Sequence, residues 1–145
     1  MNYETLFAIV NGLALTGWVL LLLFYKRPFV VRLISGIVVA LLCLIYSVII
    51  FRILEPGTLQ KFSTLQGVMS LMSATPAALG GWVHYLALDL MTGIFIATNS
   101  IKHGVKFILL LPCLLAAFFF APFGLLLYFV IRWYSTGHYF ATEYD

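Results

Sequence analysis

Residues 6–24 read LFAIVNGLALTGWVLLLLF and are followed at once by Tyr25-Lys26-Arg27-Pro28. At about 1.5 Å per residue this run extends roughly 28 Å, enough to cross the hydrocarbon of a bilayer. The residues before it, Met1-Asn2-Tyr3-Glu4-Thr5, carry an acid and no base. That is the reverse of a secretory leader, whose start is basic. The stretch is also too long for a leader's apolar segment, so it is expected to be a first membrane helix.

Three further stretches extend the pattern. A second helix is expected from Phe29 to Phe51, with Arg32 and Arg52 placed to snorkel toward headgroups. Glu55-Pro56-Gly57 then interrupts it. Leu59, Phe62, Leu65, Met69 and Met72 follow at helical spacing among polar residues, which predicts a short interfacial helix. A third helix is expected from Ala77 to Ile101 and a fourth from Phe107 to Ile131, joined by Lys102-His103-Gly104-Val105-Lys106. Trp133, Tyr134 and Tyr139 suit the headgroup region.

Composition agrees with this reading. Of 145 residues, 63% are hydrophobic and 9% charged, against roughly 25% charged in an average soluble domain. A chain this short has too little interior to hide so much apolar surface. The expected fold is therefore all-α, a single membrane domain over residues 1–145 built as a four-transmembrane-helix bundle. The net charge of +3 does not signal nucleic acid, because the bases flank apolar runs. Cys43 and Cys113 lie deep in separate runs and read as small buried hydrophobes; no metal site and no cofactor is expected. Five bases (Lys26, Arg27, Arg32, Lys102, Lys106) flank the first and third connections, against three (Arg52, Lys61, Arg132) opposite. The positive-inside rule then puts both termini outside the cytoplasm, with Thr142 across the membrane from Lys102. The expected location is the inner membrane of a bacterial cell, among membrane lipid, with room for a homo-oligomer.

One carboxylate, Asp89, falls in the middle of a span, and intramembrane ionisable groups are costly enough to mark functional sites. With Trp82 at zero on a wheel of about 100° per residue, Asp89 falls at about 340°, Tyr85 at about 300°, Thr92 at about 280°, Asn99 at about 260° and Ser100 at about 0°. Helix three thus carries a polar and aromatic stripe that must meet protein or water. His84 falls at about 200°, off the stripe and about one and a half turns from Asp89. A straight antiparallel helix four would bring Phe118–Gly124 to the level of Asp89 and Tyr128 near His84. Pro122 would free the Phe118 carbonyl to accept from Asp89. Gly93 and Gly124 would let helices three and four approach closely. The same buried Asp, Tyr and Thr also fit plain interhelical glue, and His84 a helix-end cap.

Gly81-Trp82-Val83-His84-Tyr85-Leu86-Ala87-Leu88-Asp89-Leu90 resembles the W-x-H-x-x-x-x-D-L signature of the abscisic-acid-deficient-four-like family, the neoxanthin-synthase-like membrane proteins. Pro112-Cys113-Leu114 and Ala121-Pro122-Phe123-Gly124-Leu125-Leu126-Leu127-Tyr128 resemble that family's last helix, and Asn11–Trp18 its first, more loosely. Phe95 and Asn99 stand where many bacterial members carry Trp and Asp.

In plants the family is required for making neoxanthin from violaxanthin, an isomerisation that opens an epoxide and creates an allene. The resemblance implies a carotenoid or other isoprenoid ligand and an isomerase-type enzyme without redox cofactor. Asp89 and His84 would be catalytic, and Trp82, Tyr85, Thr92, Asn99 and Tyr128 would bind the substrate. Such a reaction needs an acid at oxygen and a base for a carbon-bound proton, and a low dielectric favours the neutral form of each. The alternative is a non-catalytic isoprenoid-binding or assembly protein. A transporter ranks third, since four helices without repeats argue against one.

Overall fold

The computed structural model describes residues 2–137 and 139. Helix α1 spans Tyr3–Phe24 and is capped by Asn2, whose Oδ1 accepts from the backbone N–H of Glu4 and Thr5 at 3.1 and 3.3 Å. Helix α2 runs Pro28–Ile53, opening on a proline whose missing N–H costs nothing in a first turn. Residues Ile34–Val39 within it form a π-helical turn. Two short helices follow, α3 Thr58–Lys61 and α4 Leu65–Met72, the latter capped by Thr64 Oγ1 accepting from Gly67 N. Helix α5 is Thr75–Lys102, α6 Phe107–Phe119 and α7 Ala121–Thr136.

Among the described residues every regular element is a helix, as expected. Three helices, α1, α2 and α5, are long and apolar enough to cross a membrane. They pack around a shared contact at Gly17 of α1. A Cβ there would lie 2.6 Å from Leu90 Cδ2 and 3.1 Å from Val38 Cγ1, so only glycine lets α1, α2 and α5 meet at that point. Gly93 lies against the Trp18 ring, with a Cβ position 2.5 Å from Trp18 Cη2. Its closeness therefore serves the α1–α5 contact, not the contact with the following helix expected from sequence.

The fourth expected helix, Phe107 to Ile131, is not one helix. The backbone leaves helical geometry at Phe120 (φ −146°, ψ 80°), and Pro122 sits in the first turn of α7. The two pieces then fold against each other. A Cβ on Gly124 would lie 2.3 Å from the Ala117 nitrogen and 2.6 Å from Ala117 Cβ. Residues seven apart on one straight helix stand about 10 Å apart along its axis, so α6 and α7 form a hairpin. Its open end lies beside the end of α5. Phe107 stacks on Tyr25 at 5.6 Å, and Tyr128 Oη donates to Asn99 Oδ1 at 2.6 Å. Tyr128 is therefore level with Asn99, not with His84, and Pro122 opens α7 instead of freeing a carbonyl inside a straight span. The hairpin apex, Phe118–Phe120, stands near the middle of α5.

This geometry reverses one topological expectation. Arg132 Nη1 contacts Asn99 and, at 3.5 Å, His103 Nε2, so the end of α7 shares a side with Lys102. Thr142 itself lies outside the described residues. Cysteines introduced at Lys102 and Ser135 should both be labelled from the same side by an impermeant maleimide. Labelling from opposite sides would restore a fourth crossing.

Candidate functional site

The side chains on the stripe of α5 separate into three neighbourhoods. The first surrounds Asp89, which stands about 21 Å along α5 from Thr75. Trp82, Tyr85 and Asp89 line a cavity of about 490 Å³ between α1 and α5. Asn11 and Trp18 of α1 complete one wall, and Phe118 with Phe119 of the hairpin apex closes the end. Trp82 Nε1 donates to Asn11 Oδ1 at 3.2 Å, and the Asn11 amide donates in turn to the Phe7 carbonyl at 2.6 Å. Phe7 leans on the Trp82 ring at 5.9 Å. The indole is thus fixed by a bond and a ring contact, so the wall is preformed. Trp18 meets Phe118 edge-on at 5.5 Å. Asp89, half-buried, faces this aromatic space with no hydrogen-bond partner found among the described residues. Chemically it is an apolar groove with one acid in its wall.

His84 lies elsewhere. It lines a second cavity of about 290 Å³ with Tyr46 and Ile50 of α2, under Phe62 and Met72 of the α2–α5 connection. Its ring is 5.4 Å from that of Tyr46 and edge-on to Tyr85 at 6.2 Å. Tyr85 lines both cavities and is the partition between them. The structure therefore does not bring His84 and Asp89 to one surface, which follows from their separation of about 140° on the wheel.

The third neighbourhood holds Asn99 and Tyr128, at the far end of α5. Asn99 Oδ1 accepts from Tyr128 Oη at 2.6 Å and from Arg132 Nη1 at 3.1 Å. Arg132 Nη2 donates to the Tyr139 carbonyl, and its guanidinium lies 5.8 Å from the Phe129 ring. Arg132 and Tyr128 are both fully buried, and Arg132 Nε has no partner. These groups pin the hairpin to α5, and neither Asn99 nor Tyr128 reaches the Asp89 groove. Thr92 donates to its own helix at the Leu88 carbonyl, 2.9 Å away. Asn99→Leu would leave two buried donors without an acceptor, a loss of about 2 kcal/mol. The double variant Asn99→Leu/Arg132→Met should recover part of that loss in thermal melts, because the stranded charge goes with it.

The sequence model of a family described as ABA DEFICIENT 4-like matches residues 5–128. The chain belongs to the ABA DEFICIENT 4-like family. The family is related to the carotenoid and abscisic-acid pathway. No curated protein and no solved structure matches the chain. The stretch matched by the ABA DEFICIENT 4-like family contains every residue of the Asp89 groove and the hairpin apex that closes it. It stops at Tyr128, before Arg132.

Asn11, Trp18, Phe118 and Phe119 are site residues that spacing on α5 alone could not identify. Asn11 did carry a signal, as the one amide in the first apolar run.

Proposed function

We propose that this protein is a membrane-embedded enzyme of isomerase type that holds one end of a long isoprenoid, of the carotenoid class, in the groove beside Asp89. The observation that carries this reading is the placement of a single carboxyl in the wall of an aromatic groove halfway along a helix long enough to span. Small-molecule sites are commonly about 300–1,000 Å³, mostly apolar, with few polar groups. At about 490 Å³ the groove suits one cyclic end group and part of a chain, the remainder lying among lipid tails. The bundle α1, α2 and α5 spans the bilayer in this reading, α4 lies at its surface, and the α6–α7 hairpin enters from one side and returns to it. The bacterial inner membrane is carried over from sequence and draws no support from the family match.

In the reaction proposed, Asp89 gives its proton to an epoxide oxygen as the C–O bond breaks. A base then removes a carbon-bound proton, so atoms balance without an oxidant or reductant. Asp89 is the acid. His84, behind the Tyr85 partition, is the candidate base only for a ligand that displaces that ring, so His84→Gln should cost less turnover than loss of Asp89. The non-catalytic alternative, a carrier or assembly protein, uses the same groove and leaves the ligand unchanged.

The first test is what the protein carries. Purified in mild detergent, it should retain an isoprenoid visible by absorbance and mass spectrometry. Trp82→Ala, which removes a wall of the groove and its bond to Asn11, should reduce that retention about tenfold or more, as expected for an aromatic contact in a binding site. Equal ligand content in both proteins would argue against this groove as the site.

A further inference from the structure

A cavity of about 530 Å³ lies at the opposite end of the fold from Glu4 and Glu55, between the end of α1 and the turn from α5 to α6. Lys26 and Lys106 line it together with Tyr25, Ser100, Gly104 and Phe107. The two lysines come from different connections and reach the same space. Lys26 Nζ lies 5.7 Å from the centre of the Tyr25 ring. That ring is itself stacked on Phe107 at 5.6 Å and 18°, so the contact between α1 and α6 sets where the ammonium stands. Gly104 turns the chain at φ +66°, and a Cβ there would meet nothing within 4 Å, so the floor of the cavity is open. The first turn of α6 faces the same region, and its cap residue, Lys106, makes no side-chain capping bond. Peptide N–H groups at the start of this 13-residue helix add partial positive charge.

The charges around the cavity are of one sign. Arg27, Lys102 and the buried Arg132 stand at this end as well. The carboxylates of the described residues are remote, with Glu4 in the first turn of α1, Glu55 after the end of α2, and Asp89 in the middle of α5. Apolar surface adjoins the basic space, since Leu23, Phe24 and Ile108 are 67%, 45% and 73% exposed. A free anion would have no use for that surface, whereas a lipid would lay its tails along it.

We infer that the cavity between Lys26 and Lys106 binds the phosphate of an anionic phospholipid headgroup. The ammonium groups neutralise the phosphate from two sides, the first N–H groups of α6 face it, and the acyl chains run along α1 and α6. The site is independent of the Asp89 groove and of any reaction there.

The test uses the full-length protein in detergent, titrated with phosphatidylglycerol, phosphatidylcholine or inorganic phosphate while thermal unfolding is followed. Phosphatidylglycerol should raise the melting temperature saturably and phosphatidylcholine should not. Lys26→Gln/Lys106→Gln should raise the half-saturating concentration about twentyfold, from roughly one factor of five per lysine. Lys26→Arg/Lys106→Arg, which keeps the charge, should restore most of the response. Lys61→Gln at the other end should leave it unchanged. Equal stabilisation by the zwitterionic lipid, or an equal loss in Lys61→Gln, would overturn the site. The same saturable shift with inorganic phosphate would overturn the assignment to a lipid.

Discussion

Gly124→Leu is expected to lower the stability of the purified protein by about 3 kcal/mol or more, the upper end for overpacking. The cause is close and rigid. A Cβ on Gly124 points at the backbone nitrogen and Cα of Ala117, at 2.3 and 2.5 Å. Backbone atoms of a packed helix cannot swing aside as a side-chain tip can, so α6 and α7 must separate. Gly124→Ala should already show most of the loss, because the first carbon is the one that collides. Leu126→Ala, on a residue 54% exposed, should cost about 0.5 kcal/mol or less. Gly12→Ala, with nothing within 4 Å of its Cβ position, should be near neutral. Thermal or denaturant unfolding in detergent measures all four. Equal melting temperatures for Gly124→Leu and Leu126→Ala would remove the hairpin.

That hairpin is also where the sequence was least legible. Residues 6–24 and 29–51 declare themselves, because a continuous apolar run of spanning length has few other uses. Residues 107–131 look the same by composition, yet the chain turns back at Phe120. Pro122 and Gly124 are the only written signs of it, and both occur inside unbroken membrane helices. What decides the outcome is the fit of Gly124 against Ala117 and of Tyr128 against Asn99, contacts between residues of separate helices. The pairing of Tyr128 with His84 failed for this one reason, since it assumed a straight helix.

The groove shows the opposite balance. Trp82, Tyr85 and Asp89 share a face of α5 by simple rotation, and the structure gathers them in one cavity. Rotation also separates His84 from them. Thr92 and Asn99 lie on the same stripe but at other heights, where they serve the backbone and the hairpin. A periodic stripe thus identifies a face that avoids lipid without dividing it into site and glue. The opposite wall, Asn11 and Trp18, becomes visible only when α1 is laid against α5. Gly17 and Gly93 allow that approach by leaving room for Leu90 and for the Trp18 ring.

Asp89→Asn is expected to fold normally, keep its bound isoprenoid, and convert it at least about a hundredfold more slowly, the lower range for loss of a general acid. The amide matches the acid in size and can still donate a hydrogen bond. It has no proton to give. If Asp89 only holds helices together, the substitution should be harmless, because among the described residues no partner depends on its carboxyl. The melting temperature should therefore move little under either reading, and turnover alone separates them. The measurement is single-turnover conversion of the co-purified or added isoprenoid by wild type and variant at matched occupancy. A variant that holds the ligand and converts it at the wild-type rate would end the acid role and leave the carrier reading. A variant that loses the ligand would place Asp89 in binding. His84→Gln belongs in the same series, because a base confined behind Tyr85 should matter less than the acid already in the groove. A loss as large as that of Asp89→Asn would mean that the ligand turns Tyr85 aside and joins the two cavities during the reaction.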